Sequence, residues 1–392
     1  MDWTLLLEWA IKAVVLVLVL LIGFMYLTWF ERRVLAFMQV RIGPNRAGWQ
    51  GLLQPVADAI KLVFKEELTP AGAEKILFIL APILTVVPAV VIAATLPWGP
   101  SIEIGGRTIN LFVADIDIGV LYITSVASIA VYGIVLAGWS SNNKYAMLGG
   151  MRSSAQMVSY ELALGLSLIS AVMLVGVFNP QGGSMRLTAI VDAQRDVWFV
   201  FLQPIGAIIF WIATLAEVNR SPFDMPEAEQ ELTAGYHTEY SGMKFALFFM
   251  AEYIKMISIS AIAATLFFGG YREFPFLKDT WAGVDQTPLL GPLYMFLKIV
   301  MLLFLMVWVR ATFPRIRYDR LMSFGWKILL PMSLAVVLIT GTFVVLSDQI
   351  AAQVVFMNVP LVMWAIPVVS IVMALITVAF LRRSILKKVS HA

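Results

Sequence analysis

The chain has 392 residues, 60% of them hydrophobic and only 14% charged, with a formal net charge of +3. That composition belongs to a membrane protein, not to a soluble chain of two or three domains, and so small a charge spread among loops gives no footing for nucleic acid. Cysteine is absent and the only histidines are His237 and His391, which excludes thiolate-ligated clusters and bis-histidine haem held by this chain.

In chain order, charge-free apolar runs predict nine spans, at roughly 12–30, 76–98, 118–140, 157–177, 197–216, 244–268, 291–309, 327–347 and 357–381. Each is close to the about 20 residues a helix needs to cross the hydrocarbon core. The expected fold is an all-α membrane protein with about nine transmembrane helices, forming one polytopic domain over 1–392. The first span is an apolar stretch of 18 residues from Ala13 to Phe30 with no small-residue cleavage pattern before Glu31, so it reads as retained, not as a signal peptide. After it, Leu52, Leu53, Val56, Ala57, Ile60, Val63 and Phe64 recur at helical spacing with Asp58, Lys61 and Lys65 between them. This predicts an amphipathic helix lying in the membrane interface, the alternative being a solvated helix packed on a partner. Pro82, Pro88, Pro331 and Pro367 fall inside spans, where kinks are expected because neighbouring groups satisfy the freed carbonyls.

Lysine and arginine are asymmetric across these spans. Twenty lie in the C-terminal tail and in the loops after the first, third, fifth and seventh spans, against six on the other side. The positive-inside rule then puts the N-terminus outside and the C-terminus in the cytoplasm.

Ionisable groups inside spans are costly and mark function by default. Glu161 lies in the fourth span, Glu252 and Lys255 share a face of the sixth, and Lys298 lies in the seventh. A carboxyl in such a place can hold and release a proton near neutral pH, although Glu252 with Lys255 is equally read as a static ion pair. The densest signal follows the fifth span, where Glu217, Arg220, Asp224, Glu227, Glu229 and Glu231 crowd together before Glu239. Shielded from water, such carboxylates titrate as a coupled group; exposed, they are an ordinary acidic loop. Glu227, Glu229 and Glu231 lack EF-hand spacing or a histidine partner, so no metal site is expected. Neither a nucleophile elbow, a P-loop nor a dinucleotide fingerprint is present. These residues alone point to a secondary transporter or a proton-handling subunit.

Four stretches resemble the family of the H subunit of bacterial respiratory complex I, the counterpart of mitochondrial NADH dehydrogenase subunit 1. They are Glu31-Arg32-Arg33 through Arg41-Ile42-Gly43-Pro44-Asn45-Arg46 to Asp58 and Lys61; Ser140-Ser141-Asn142-Asn143-Lys144-Tyr145 to Ser159-Tyr160-Glu161; the acidic loop through Gly235-Tyr236-His237-Thr238-Glu239-Tyr240 to Glu252-Tyr253; and Arg310-Ala311-Thr312-Phe313-Pro314-Arg315 to Leu321. The family-like core would cover about 8–347, with an additional span at about 357–381 flanked by Trp364 and Arg382-Arg383. The resemblance implies a bacterial inner-membrane subunit of an NADH:quinone oxidoreductase, working beside peripheral quinone-site and iron-sulfur subunits, small membrane subunits and antiporter-like subunits. It implies quinone as substrate, with FMN and iron-sulfur clusters only in those partners. Arg32, Arg41, Asp58, Arg220 and Arg310 match positions near the quinone cavity, and Glu161, Glu217, Asp224, Glu227, Glu229, Glu231, Glu239 and Glu252 match the acidic path that couples the cavity to proton translocation. In one departure, Ser128 stands where some relatives carry glutamate early in the third span. Two other readings stay open: a stand-alone cation/proton antiporter, and the equivalent subunit of a ferredoxin-dependent complex.

Overall fold

A computed structural model describes residues 3–104, 107–179, 182–224, 233–275, 283–350, 355–356 and 359–389. It is a helical membrane protein in which, among the described residues, eight helices are long and apolar enough to cross a bilayer and a ninth apolar helix is shorter. The first is α1 (Trp3–Met38), followed by α2 (Gln54–Phe64), α3 (Lys75–Ala93), α4 (Gly119–Ser140) and α5 (Lys144–Phe178). The short α6 (Leu187–Ala193) and α7 (Phe199–Leu202) lead into α8 (Pro204–Glu217), then α9 (Gly242–Phe267) and α10 (Leu290–Thr312). A short α11 (Tyr318–Phe324) passes through a π turn into α12 (Leu330–Ile350), and α13 (Ala365–Val389) closes the described chain. Two short hairpins, Ile102–Ile104 with Arg107–Ile109 and Val355–Phe356 with Val359–Pro360, are the only β-structure among the described residues.

The amphipathic helix forms where the spacing predicts it, with Pro55 in its first turn and Leu53, Val56, Ile60, Val63 and Phe64 left exposed by the rest of the chain. The first helix overruns its predicted 12–30 at both ends and the last begins at 365, not 357; two further spans differ for reasons the side chains explain. The run 197–216 is divided, because Pro204 has no N–H to continue a helix and disfavours the helical conformation at Gln203 (φ −139°, ψ 60°). The Gln203 side chain reaches the other way, donating Nε2–H to Thr340 Oγ1 of α12 at 2.6 Å. The fourth span, in turn, begins thirteen residues before the predicted 157, at Lys144. Asn143 caps it through its side chain, which accepts from the Tyr145 N–H at 2.9 Å. Its first turns are enclosed by protein: a Cβ on Gly149 would lie 2.7 Å from Gly235 Cα, and one on Gly138 of α4 would lie 2.7 Å from the Ala146 carbonyl oxygen. Small residues thus allow the backbones to meet, as in many membrane-helix interfaces.

The most enclosed helix is α9, with nearly every residue from Tyr253 to Phe267 buried against α1, α3, α8 and α10. Tyr160 of α5 is fully buried and donates its hydroxyl to the Leu321 carbonyl at 3.0 Å, tying α5 to α11. Lys298 of α10 spends its donors on the frayed C-terminal end of α9, reaching the carbonyls of Phe268 at 2.6 Å, Gly270 at 2.8 Å and Arg272 at 2.5 Å. Its intramembrane cation is therefore a helix cap in this fold. At that same end of the bundle, Arg195–Asp285 and Arg272–Asp192 pairs at 2.6 Å join the connecting loops.

Candidate functional site

The chain after α8 turns back into the bundle and is held there by a buried amide. Gln156 of α5 donates Nε2–H to the carbonyls of Ala216 at 2.8 Å and Phe223 at 2.9 Å. Asn219 takes a left-handed backbone (φ 54°), a conformation Asn tolerates, and donates Nδ2–H to Ser153 Oγ at 2.9 Å. These bonds present Arg220 to the interior, where it is 7% exposed.

Around Arg220 four helices and loops converge. Its Nη1 lies 3.1 Å from Glu31 Oε1 of α1 and its Nε 2.6 Å from Glu252 Oε1 of α9, while its Cζ sits 4.5 Å from the ring centroid of Tyr253. Arg310, at the end of α10, donates Nη1–H to the same Glu31 oxygen. Two cations and two carboxylates are thereby balanced in a quartet whose Glu31, Arg220 and Glu252 are enclosed and whose Arg310 is partly exposed. Burial alone drives the Arg220 guanidinium toward neutrality, but Glu252 and Glu31 outweigh it and hold its proton more tightly than water does. Beside the quartet, Arg315 reaches Asp224 at 3.0 Å, and the Ile316 N–H donates to the Pro222 carbonyl at 3.0 Å, docking the α10–α11 connection on the acidic loop.

Deeper in the bundle, two small cavities continue this line of charge. One, of about 20 Å³, is lined by Glu217, Glu252 and Lys255 together with Thr85, Asn219 and Tyr236. The next, of about 30 Å³, is lined by Glu161, Glu217 and Lys255 with Thr124, Thr214 and Ser258. Either is large enough for a water molecule, which needs roughly 10–15 Å³ measured this way, and each offers polar partners for one. Ser128 of α4 donates its hydroxyl to Glu161 Oε1.

A third and larger cavity, of about 410 Å³, opens between α1, α2 and α9. Its walls are apolar, among them Phe24, Met25, Phe245, Phe249 and Met250, and its charged end is the Arg32–Asp58 pair at 2.6 Å. Gln54 Nε2 donates to the other Asp58 oxygen at 3.0 Å. An elongated apolar molecule with a polar head has the complementary shape and chemistry.

Of the residues singled out in the sequence, Glu161, Glu217 and Glu252 line the two small cavities, and Arg32 and Asp58 line the large one. Arg220 and Arg310 join at Glu31, between them. Arg41 is exposed, bonding Gln39 Oε1 at 2.7 Å, and Glu239 lies in a surface recess, accepting from Asn143 Nδ2 at 2.6 Å. Glu227, Glu229 and Glu231 lie outside the described residues. Sequence reasoning assigned no role to Glu31, whose signal was its place as the first charge after a span, beside two arginines. Among the described residues, no group of His, Cys, Asp and Glu is arranged to hold a metal ion. His237, walled by Tyr236, Phe245 and Phe249, is pushed down by burial to about 4 and so stays neutral.

A family model described as NADH dehydrogenase matches residues 11–341. The chain is similar to the first of the NADH-quinone oxidoreductase H subunits of Geobacter sulfurreducens, 48% identical over 86% of this chain and 95% of that relative. It is similar to the corresponding H subunit of Cytophaga hutchinsonii, 49% identical over 82% of this chain and 92% of the relative. The H subunit of Thermomicrobium roseum is 46% identical over 87% of this chain and 97% of that protein.

Proposed function

The chain belongs to the NADH dehydrogenase family, whose model matches residues 11–341, and from that premise we propose that it is the membrane subunit of a proton-pumping NADH:quinone oxidoreductase that admits quinone and begins proton translocation. The observation that carries this reading is the file of ionisable groups enclosed by the helices. It has two stretches: the Arg32–Asp58 pair at the large apolar cavity, and the run from Glu31, Arg310, Arg220 and Glu252 to Glu217, Lys255 and Glu161 inside the bundle.

In this proposal quinone enters from the bilayer through the cavity between α1, α2 and α9, and its headgroup is reduced at a site completed by the peripheral arm. FMN and iron-sulfur clusters in partner subunits supply the electrons. Reduction and protonation of the headgroup alter the charge beside the Arg220 quartet. In a low-dielectric, balanced cluster such a change cannot be screened, so it is met by proton movement among the neighbouring carboxyls. Glu252 faces the quartet on one side and the first small cavity on the other, and so relays the change to Glu217 and Glu161. Arg41, Asp224, Glu239 and the glutamates 227, 229 and 231 serve, in the same proposal, the rim of the quinone site and the mouth of the proton path. The small membrane subunits and antiporter-like subunits receive the protons, and the chain sits in the bacterial inner membrane with its N-terminus outside.

The test is affinity purification of the chain from mild detergent, with assay of the eluate for flavin, iron-sulfur clusters and inhibitor-sensitive NADH:quinone activity, followed by Glu217→Gln and Glu161→Gln in the assembled complex. The expected result is an active assembly in which both variants assemble and lose coupled turnover. A chain that purifies alone and moves cations in liposomes overturns the proposal in favour of an antiporter; an assembly inert to NADH but active with ferredoxin changes the donor.

A further inference from the structure

Resting on the carboxylate path proposed above, we infer that Lys255 is a proton-positioning residue, whose ammonium fixes how many protons Glu161 and Glu217 share and follows the charge as one passes between them. Lys255 is the one cation that lines both small cavities, and the only other charged groups lining them are Glu161, Glu217 and Glu252. Among the neighbouring cations, Arg220 and Arg310 are committed to carboxylates and Lys298 to carbonyls. Lys255, 8% exposed, makes no direct ion pair or hydrogen bond with a described residue, so its three N–H donors are available to the cavities it lines.

The elements packed around it contribute no other ionisable side chain to the deeper cavity. From α3 come Ala89 and Ile92, from α4 Ile123, Thr124 and Ala127; only α5, α8 and α9 supply charge, as Glu161, Glu217 and Lys255. Glu252, on the nearer side, is already matched by Arg220. With Lys255 an ammonium, two acids and this one base form a neutral group only when the acids hold one carboxyl proton between them, and burial favours the neutral total. One acid is then protonated and the other ionised, which is the state a relay requires: a donor facing a vacancy.

Transfer follows directly. The proton leaves the Glu217 carboxyl for a cavity water, which gives up one of its own protons to the Glu161 carboxylate. Lys255 keeps all three hydrogens and swings on its four-carbon stem toward the new anion at Glu217. Without the cation, both acids are most stable protonated, the vacancy is lost, and the relay stalls until the pH rises far enough to restore it.

The experiment uses the assembled oxidoreductase in proteoliposomes, with K255M and K255R compared for protons moved per quinone reduced and for the pH profile of coupled turnover. K255M is expected to lower coupled turnover on the order of tenfold and to move the acid limb of the profile upward by about one pH unit, while K255R stays within about threefold of wild type with the limb in place. If K255M does not assemble, K255Q is read in its stead with the same expectation. Wild-type pumping and an unshifted limb in the neutral variant, with Glu217→Gln still inactive, overturn the role of Lys255 alone. Normal pumping in Glu217→Gln as well removes the carboxylate path on which it rests.

Discussion

Ser128 of α4 donates its hydroxyl to Glu161 of α5, so a side chain of one span holds a carboxyl of the next. The hydroxyl fixes the direction of this carboxyl, which lines the cavity shared with Glu217. Because a hydrogen bond to a charged group contributes about 1.5–3 kcal/mol, Ser128→Ala should lower coupled quinone reduction on the order of tenfold. Ser128→Thr, which keeps the hydroxyl, should retain most of it. Proton pumping in proteoliposomes checks both, and an unimpaired alanine variant would show that Glu161 needs no anchor.

The quartet predicts an asymmetry between breaking and neutralising it. Arg220→Gln leaves Glu31 paired with Arg310 and removes the ion-pair partner of Glu252, and an uncompensated buried charge costs about 3–5 kcal/mol. Assembly yield and thermal stability of the complex should fall sharply. Adding Glu252→Gln removes the matching negative charge and should recover a large part of that loss, although not turnover. A double variant no more stable than the single one would mean the two side chains are not coupled.

Much of this arrangement was legible in the sequence and some of it was not, for reasons that differ by residue. Apolar runs located the spans because hydrocarbon demands them, and the spacing of Val56, Ile60 and Val63 located α2. The same criterion merged α7 with α8, since hydropathy does not register that Pro204 frees Gln203 from the helix. It also cut α5 short, because Gly149, Ser153 and Gln156 read as polar until Gly235 and Asn219 are seen to cover them. Intramembrane charge marked Glu161, Glu252 and Lys255. The pairing of Glu31 with Arg220 joins residues 189 positions apart, and nothing local to either announces the other.

His237 gives the fold a pH limit. Burial among aromatic rings holds its pKa at about 4, below the ordinary 6.5, so the unfolded chain takes up a proton that the folded chain refuses. The stability of the neutral form is complete above about 6.5 and is lost as the pH falls toward 4, by on the order of 3 kcal/mol in full. Thermal unfolding at about pH 7.5 and about pH 5, on either side of the ordinary histidine value, should therefore show a larger acid-side loss for wild type than for His237→Phe. Equal losses in the two would place the acid sensitivity elsewhere.

The cavity between α1, α2 and α9 predicts a dependence on tail length. Ala246 lies on its α9 wall and Asp58 at its charged end, so the two substitutions separate the passage from the head. Ala246→Trp adds an indole to a space of about 410 Å³ lined by Phe245, Phe249 and Met250. It should raise the apparent KM for a long-tailed quinone on the order of tenfold, while a short-tailed analogue, which occupies less of the passage, is affected little. Asp58→Asn leaves the passage open but removes the anion that pairs with Arg32, and should change both quinones alike. Should Ala246→Trp alter the two quinones equally, or neither, the cavity would be no part of the quinone's route, and the substrate would have to reach the Arg220 quartet from another face.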